Sequence, residues 1–260
     1  MAKKIPLITL CIQKYSHLSE AEIRSRIIQG QVYVNGEKRI KPGELVDYAA
    51  QLEILVKNNF FSRGALKLAP VLDELELDIQ GFRFIDAGAS TGGFTQCLLQ
   101  RGAARVYAVD VGYNQLAYSL RCHQRVVVWE RRNIMDLRHG DFESRPDGAV
   151  CDLSFRSISG AAGHILSLCK EGAWLLALIK PQFEWKTPDE NFKGVIFDKE
   201  VIKEVLLQTS RLLNNEALQL VKAIESPQKG TKGNQEYFFL LKSGVQDFMV
   251  AEEIILNLFR

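Results

Sequence analysis

Two acids around one glycine-rich turn are the first residues in this chain that could do chemistry. Arg83 to Phe94 reads Arg-Phe-Ile-Asp-Ala-Gly-Ala-Ser-Thr-Gly-Gly-Phe. Its start is apolar and β-prone. A turn holding Gly88, Ser90, Gly92 and Gly93 follows, and Phe94, Cys97, Leu98 and Leu99 then recur at helical spacing. Strand, glycine turn and helix is the arrangement by which open α/β sheets bring backbone close to a nucleotide-like ligand. The acid before the turn, Asp86, read as a carboxylate at the strand tip, suits a ligand with a cationic methionine end better than one with a pyrophosphate. Asp110 ends the next apolar run, 22 residues after Gly88, where a ribose-binding acid is expected. Together the two acids point to S-adenosylmethionine, with Asp86, Gly88, Ala89, Ser90, Gly92, Gly93, Phe94 and Asp110 as its candidate site. The bland alternative is a tight turn between two solvated acids. A nicotinamide dinucleotide is disfavoured by the charge of Asp86.

The elements that must position these residues alternate. Strands are predicted at 83–87, 105–110, 125–130, 148–153 and 174–180, with helices near 92–101, 113–121 and 157–169. A helix over about 198–213 and two late strands, 217–225 and 235–242, follow. Such alternation implies a mainly parallel, Rossmann-like α/β sheet. Its carboxyl edge collects further chemistry. Asp152 follows strand four, Lys180 follows strand five before Pro181, and Glu236 starts the last strand. Lys67 comes from a helix opening at Ser62, in which Pro70 is expected to kink or break the chain. Taken singly, a strand-tip lysine snorkels to water, a strand-end Asp caps the next helix, and an edge Glu is a solvated charge.

Residues 5–56 form a smaller α+β unit. Leu7, Leu10, Cys11 and Lys14 fit a short helix. Ser19 with Glu22 is a capping box for a second helix, stopped at Gly30. Val32-Tyr33-Val34 runs into the hairpin signal Asn35-Gly36, Lys41-Pro42-Gly43 is a turn, and 52–56 is a closing strand. The organisation expected is therefore 1–57, a linker at 58–61, a large domain at 62–244, and a C-terminal helix at 245–260 for packing or a subunit contact.

Composition is that of a globular protein, 47% hydrophobic and 25% charged over 260 residues. No apolar run approaches the ~20 residues of a membrane span, and no signal-peptide cleavage pattern follows the basic start. Five dispersed cysteines show no metal-ligand spacing, so no metal is expected and reduced cytoplasmic thiols are the simplest reading. Residues 1–60 carry 9 Lys+Arg against 6 Asp+Glu, while the rest is nearly neutral, so an anionic partner such as RNA would meet the N-terminal unit first.

Ile27 to Gly36 with Lys41-Pro42-Gly43 resembles the αL RNA-binding domain of a small-subunit ribosomal protein and pseudouridine synthases. The resemblance implies RNA contacts by Arg24, Arg26, Lys38, Arg39 and Lys41. Lys67, Asp152, Lys180 and Glu236, in that order, resemble the Lys-Asp-Lys-Glu tetrad of FtsJ-like ribose 2′-O-methyltransferases. Ser62 to Leu68, Asp86 to Phe94, Asp110 to Leu116, Asp152 to Phe155, Lys180 to Glu184 and Ser226-Pro227 to Glu236 all look like the TlyA, or haemolysin A, family. That resemblance implies methylation of a cytidine 2′-hydroxyl in ribosomal RNA or ribosomal subunits, in the cytoplasm, with S-adenosylmethionine. It also implies an RNA contact by Arg63 and a loop after strand three near adenine, where Asn133 or Asp136 either bonds the adenine amino group or caps a helix. Arg131 and Arg132 are further RNA candidates. A lysine serves as base only when neutral, which burial and a second cation favour. Lys180 is assigned as base, Lys67 as neighbouring cation, Asp152 as orienter of Lys180 and the methyl donor, and Glu236 as holder of Lys67 or the ribose. The competing readings are a non-catalytic ribosome-assembly protein and a cytolytic haemolysin. No oligomeric state follows from these residues.

Overall fold

In the computed structural model the described residues are 4–16, 18–28, 30–54, 63–154, 156–188 and 192–260. The expected linker 58–61, Ser62 and Phe155 lie outside them. The chain divides into two compact units, Met1–Phe60 and Phe61–Arg260.

The first unit comprises β1 (Lys4–Pro6), α1 (Leu7–Lys14), α2 (Glu20–Ile28), β2 (Val32–Val34), β3 (Glu37–Arg39), β4 (Leu45–Asp47) and β5 (Leu52–Ile54). The capping box forms: Ser19 N–H donates to Glu22 Oε2 at 2.9 Å, and Glu22 N–H returns to Ser19 Oγ at 3.3 Å. Asn35 and Gly36 both have positive φ, 51° and 80°, as a two-residue hairpin turn requires. The β1–β4 pair was not expected, because three-residue strands carry too short a pattern to read. Leu7, Leu10, Cys11, Ile23, Ile27, Val32 and Ile54 form the buried core of this unit.

The second unit comprises α3 (Arg63–Glu74), β6 (Arg83–Ala87), α4 (Gly93–Gln100), β7 (Arg105–Asp110), α5 (Tyr118–Arg121), β8 (Val126–Glu130), β9 (Gly148–Cys151), α6 (Ala162–Leu168), β10 (Trp174–Ile179), α7 (Pro181–Glu184), α8 (Lys199–Asn215), β11 (Leu218–Glu225), β12 (Tyr237–Ser243) and α9 (Phe248–Leu256). One seven-stranded sheet has the order β11-β12-β10-β9-β6-β7-β8. The five strands from β10 to β8 are parallel, and β12 is antiparallel to both β10 and β11.

Alternation along the strands sorts the core onto two faces. Ile85, Ala87, Tyr107, Val109, Ala149, Cys151, Leu175 and Ala177 join Ile165, Leu206 and Ile255 of α6, α8 and α9. Phe84, Val106, Ala108, Val150 and Leu176 join Leu68, Leu72, Cys97 and Leu98 of α3 and α4. Both faces are covered, as a parallel sheet requires. The C-terminal helix α9 thus belongs to this core.

Three expected elements differ. α3 continues through Pro70. Arg101 straps it on both sides, bonding Asp73 at 2.7 Å and Ala69 O at 2.8 Å. The helix expected at 113–121 is only α5, because Glu130 captures the amides of Asn114, Gln115 and Leu116 and holds them as a loop. The helix expected from 157 starts at Ala162. Before it, Glu184 takes Ser157 and Ile158 while Glu216 takes Ser159 and Gly160.

Gly88 has φ +82°, and a β-carbon there would lie 2.4 Å from Asp152 O. Gly88→Ala is therefore expected to lower the unfolding free energy by roughly 1–3 kcal/mol in urea denaturation. An unchanged midpoint would show that β6 and the residue after β9 do not approach this closely.

Candidate active site

Strand order brings the candidate catalytic residues to one edge. Ala87 pairs with Cys151, so Gly88 and Asp152 leave adjacent parallel strands together. β10 lies beside β9, and Lys180 directly follows it. Because β12 runs antiparallel, its start meets the end of β10, with Ile179 opposite Tyr237. Glu236 therefore arrives at the same carboxyl edge, the place where open α/β sheets bind ligands.

Two lysine–carboxylate contacts result. Lys67 Nζ lies 2.5 Å from Glu236 Oε2, the residues being 8% and 3% exposed. Lys180 Nζ lies 2.5 Å from Asp152 Oδ1, an ion pair whose angles fall short of a hydrogen bond, and donates to Ser154 Oγ at 2.9 Å. Pro181 opens α7 at once, with Lys180 as its cap, which fixes the backbone under the ammonium group. Partners at such distances are what a buried charge requires.

The glycine turn is closed on itself. Gly88 N–H and Ala89 N–H donate to Val109 O, Gly92 N–H donates to Ala89 O, and Ser90 N–H donates to Asp110 Oδ2 at 2.8 Å. Asp110 Oδ1 accepts from Gly112 N–H at 2.7 Å. Four turn amides are thus taken internally and a carboxylate faces the turn. An anionic side chain facing the turn disfavours a pyrophosphate there and fits a neutral or cationic ligand. Each Asp110 oxygen retains a further lone pair for a ribose hydroxyl.

The expected position of Asp86 needs correction. It is not at the strand tip but one residue earlier, on the α4 face, and is fully buried. Its Oδ2 accepts from Thr95 N–H at 2.8 Å and from Thr95 Oγ at 2.6 Å, while Oδ1 accepts no hydrogen bond. Burial pushes its pKa up to about 7, against the Thr95 bonds, which favour the anion; the charges of Asp152 and Asp110 raise it further. The Phe94 side chain also lies away from the crevice. It is 3% exposed, in the core beside Phe238 at 5.9 Å. Gly93 is the buried first residue of α4, Ala89 is buried and Ser90 is exposed.

After β8, Asn133 and Asp136 are exposed. Asn133 Oδ1 accepts from Met135 N–H at 3.1 Å, so it caps the short 3-10 turn that follows and keeps its amide donors free. Arg131 stacks on Tyr113 at 4.1 Å and Arg132 approaches Trp129 at 5.4 Å. Arg63 donates to Lys229 O at 3.3 Å. In the first unit Arg24 pairs with Glu20, and Arg39 with Glu37 and Glu44, while Arg26 is half-buried. Lys38 and Lys41 are exposed beside Ile40 and Gly43 in a surface concavity.

Sequence reasoning missed three organisers. Glu184 is buried and accepts from Ser157 Oγ at 2.5 Å and Ile158 N–H at 2.9 Å, joining the loop after Asp152 to the helix after Lys180. Burial raises its pKa, opposed by those bonds. Glu130 gathers three loop amides and Arg121. Asn234 ties Gly194 and Ile196 to the loop before Glu236. Glu130 carried the signal of a strand end, whereas Glu184 ends α7 and Asn234 lies in a loop; the partners of all three lie too far along the chain to read. Burial pushes the Cys151 and Cys169 thiols up to about 12, which suits core residues and not nucleophiles. Among the described residues no His/Cys/Asp/Glu group is placed to hold a metal, and no helix is long and apolar enough to cross a membrane.

A Rossmann-like sheet with a closed glycine turn and two buried lysine–carboxylate pairs at its carboxyl edge defines a methyltransferase-type site. The chain belongs to the FtsJ-like methyltransferase family, whose model matches residues 60–243. It is 35% identical over 245 residues to the 16S/23S rRNA (cytidine-2′-O)-methyltransferase TlyA of Mycobacterium tuberculosis, covering 94% of this chain and 91% of that protein. It is 36% identical over 222 residues to hemolysin A of Brachyspira hyodysenteriae, covering 84% and 92%. The solved structure of a candidate hemolysin from Streptococcus thermophilus matches with a TM-score of 0.71 at 30% identity, covering 100% of this chain and 97% of that one.

Asp86 generates a pH prediction. Its folded pKa, about 7, lies above the ~3.9 of an unfolded aspartate. The folded state binds the proton more tightly, so this contribution is full below pH ~3.9 and is lost as pH rises through about 7. Asp86→Asn should remove that slope, with the variant gaining up to about 4 kcal/mol relative to the wild type between pH 4 and 8 in denaturant titrations. A pH-independent difference would mean that Asp86 keeps an ordinary pKa.

Proposed function

We propose that the chain methylates a ribose 2′-hydroxyl of ribosomal RNA, that of a cytidine, using S-adenosylmethionine, and that it works in the cytoplasm where ribosomal subunits assemble. The observation that carries this is the meeting of Lys67–Glu236 and Lys180–Asp152 at the edge beside the Gly88 turn. The name of the mycobacterial relative supports the cytidine and the ribosomal RNA.

S-adenosylmethionine, when bound, supplies a methyl group on a positively charged sulfur. The closed turn and Asp110 suit that ligand: Asp110 would bond the ribose, Asn133 or Asp136 the adenine, and backbone at Gly88, Ala89 and Ser90 would line its path. Asp86, Gly92, Gly93 and Phe94 support this surface from beneath.

Lys180 is the base of the reaction: the ammonium held by Asp152 first gives up its own proton, and the free Nζ then takes the 2′-hydroxyl proton as the oxygen–methyl bond forms and the methyl–sulfur bond breaks. Asp152 and Ser154 hold that nitrogen in place, so the oxygen losing its proton is aligned with the methyl group. Such positioning supplies much of the rate. Lys67, held by Glu236, is the cation for the ribose or its phosphate. Lys38 and Lys41, with Arg39 beside them and Arg24 and Arg26 on α2, are the RNA contacts of the first unit, and Arg63 contacts RNA in the second. Phosphate contacts of this type set register without reading sequence.

Purified protein with S-adenosylmethionine and ribosomal subunits lacking the modification tests this directly. Lys180→Met should lower transfer to a ribose 2′-oxygen by about 10²–10⁴-fold while S-adenosylmethionine binding persists. Full transfer by this variant would refute the base assignment, and cofactor binding without transfer by the wild type would favour the assembly-protein reading. Lys38→Glu with Lys41→Glu should raise KM for subunits, leave kcat in place, and reduce the salt dependence of binding by about 2 in logarithmic slope. An unchanged slope would take both lysines out of the RNA interface.

A further inference from the structure

Phe197 has no role in the chemistry above, yet it is 86% exposed, the most exposed large apolar side chain among the described residues. Its neighbours do not make an apolar patch: Ile196 is buried, and Asp198 and Lys199 are exposed and charged. An isolated aromatic ring of this kind does not resemble the contiguous apolar surface of a protein contact.

Its backbone is tied to the active edge. Ile196 N–H donates to Asn234 Oδ1 at 3.0 Å, and Asn234 Nδ2 donates to Gly194 O at 2.8 Å. Asn234 O in turn accepts from Gly230 N–H at 2.9 Å, and a β-carbon on Gly230 would lie 2.5 Å from Glu236 Oε1. Asn234 is two residues from Glu236, about 7 Å of extended chain. Asn234 is thus a clasp between the segment bearing Phe197 and the loop bearing Glu236.

The charges beside Phe197 are unequal. Asp198 is engaged as the cap of α8, and Glu200 pairs with Lys203. Lys193, Lys199 and Lys232 form no ion pair with described residues, and a β-carbon on Gly194 would lie 3.7 Å from Lys232 Nζ. An open ring beside cations that form no ion pair among the described residues matches the two faces of single-stranded RNA, a base to stack and phosphates to neutralise. The burial of Lys67 and Lys180 adds a need for such a platform. At 8% and 9% exposure they cannot be reached by a ribose that stays within a stacked helix.

We propose that Phe197 is a stacking platform for a nucleobase of the RNA substrate, with Lys193, Lys199 and Lys232 on the adjoining phosphates. The proposal rests on the RNA methyltransferase reading for its substrate, but its test reads binding separately from transfer. The full chain is titrated with a short fluorescein-labelled oligocytidine, and transfer kinetics are measured on unmodified ribosomal subunits. Phe197→Ala should weaken oligocytidine binding about tenfold and raise KM for subunits, with S-adenosylmethionine binding unchanged. Phe197→Trp should restore binding, and its added emission should be quenched by the oligonucleotide. Wild-type affinity in Phe197→Ala, or unquenched emission in Phe197→Trp, would overturn the proposal, as would a change confined to self-association. A wild type that transfers no methyl group would sink the methyltransferase reading alone, because quenching still decides the role of Phe197.

Discussion

Two ammonium groups held against carboxylates at the end of a sheet are the constraint on which the rest of the second unit depends. Lys67 and Lys180 are almost enclosed, and enclosed charge is stable only with a partner in place. Removing either carboxylate would strand a lysine at a cost of about 3–5 kcal/mol. The pairs therefore demand that four separate chain segments end together within hydrogen-bond reach. Strand order meets that demand. Glu236 reaches the edge because β12 is reversed relative to β10, and Asp152 reaches it because β9 is inserted between β10 and β6.

Around those pairs, carboxylates serve as clamps on backbone. Asp110 holds Ser90 and Gly112, Glu130 holds residues 114–116, and Glu184 holds residues 157–158. Each clamp fixes a loop that leaves the carboxyl edge, where regular secondary structure offers no partners for the amides. The same bonds bear on the ligand of the turn: four of its amides are already used, and the Asp110 carboxylate faces it. Asp86 acts from below, anchoring the first turn of α4 through Thr95.

Much of this is legible in the sequence. The parallel strands fall where apolar runs end in Asp, Glu, Lys or Gly, and three of the four catalytic candidates, Asp152, Lys180 and Glu236, fall beside strand tips because polar residues interrupt those runs there, while Lys67 comes from α3. The capping box at Ser19 and the turn at Asn35-Gly36 are local signals and form as read. What stayed hidden depends on distant partners. The helix expected at 113–121 is shortened by Glu130, and the one expected from 157 is delayed by Glu184 and Glu216. Phe94 fits a ligand turn by position yet serves the core, because its side chain meets Phe238 from a strand much later in the chain. Asp86 reads as a strand tip because the glycine follows so closely, but strand parity turns it to the α4 face. The first unit's basic residues also read alike in sequence, whereas local acids engage Arg24 and Arg39 and leave Lys38 and Lys41 open.

The most direct test of the account is the position of the reacting oxygen. A crystal structure with S-adenosylhomocysteine and an RNA bearing the target ribose would give the distance from its 2′-oxygen to Lys180 Nζ. The account predicts hydrogen-bond distance, about 2.6–3.2 Å, with the oxygen in line with the cofactor sulfur. A 2′-oxygen turned away from Lys180, or held by another base, would contradict it.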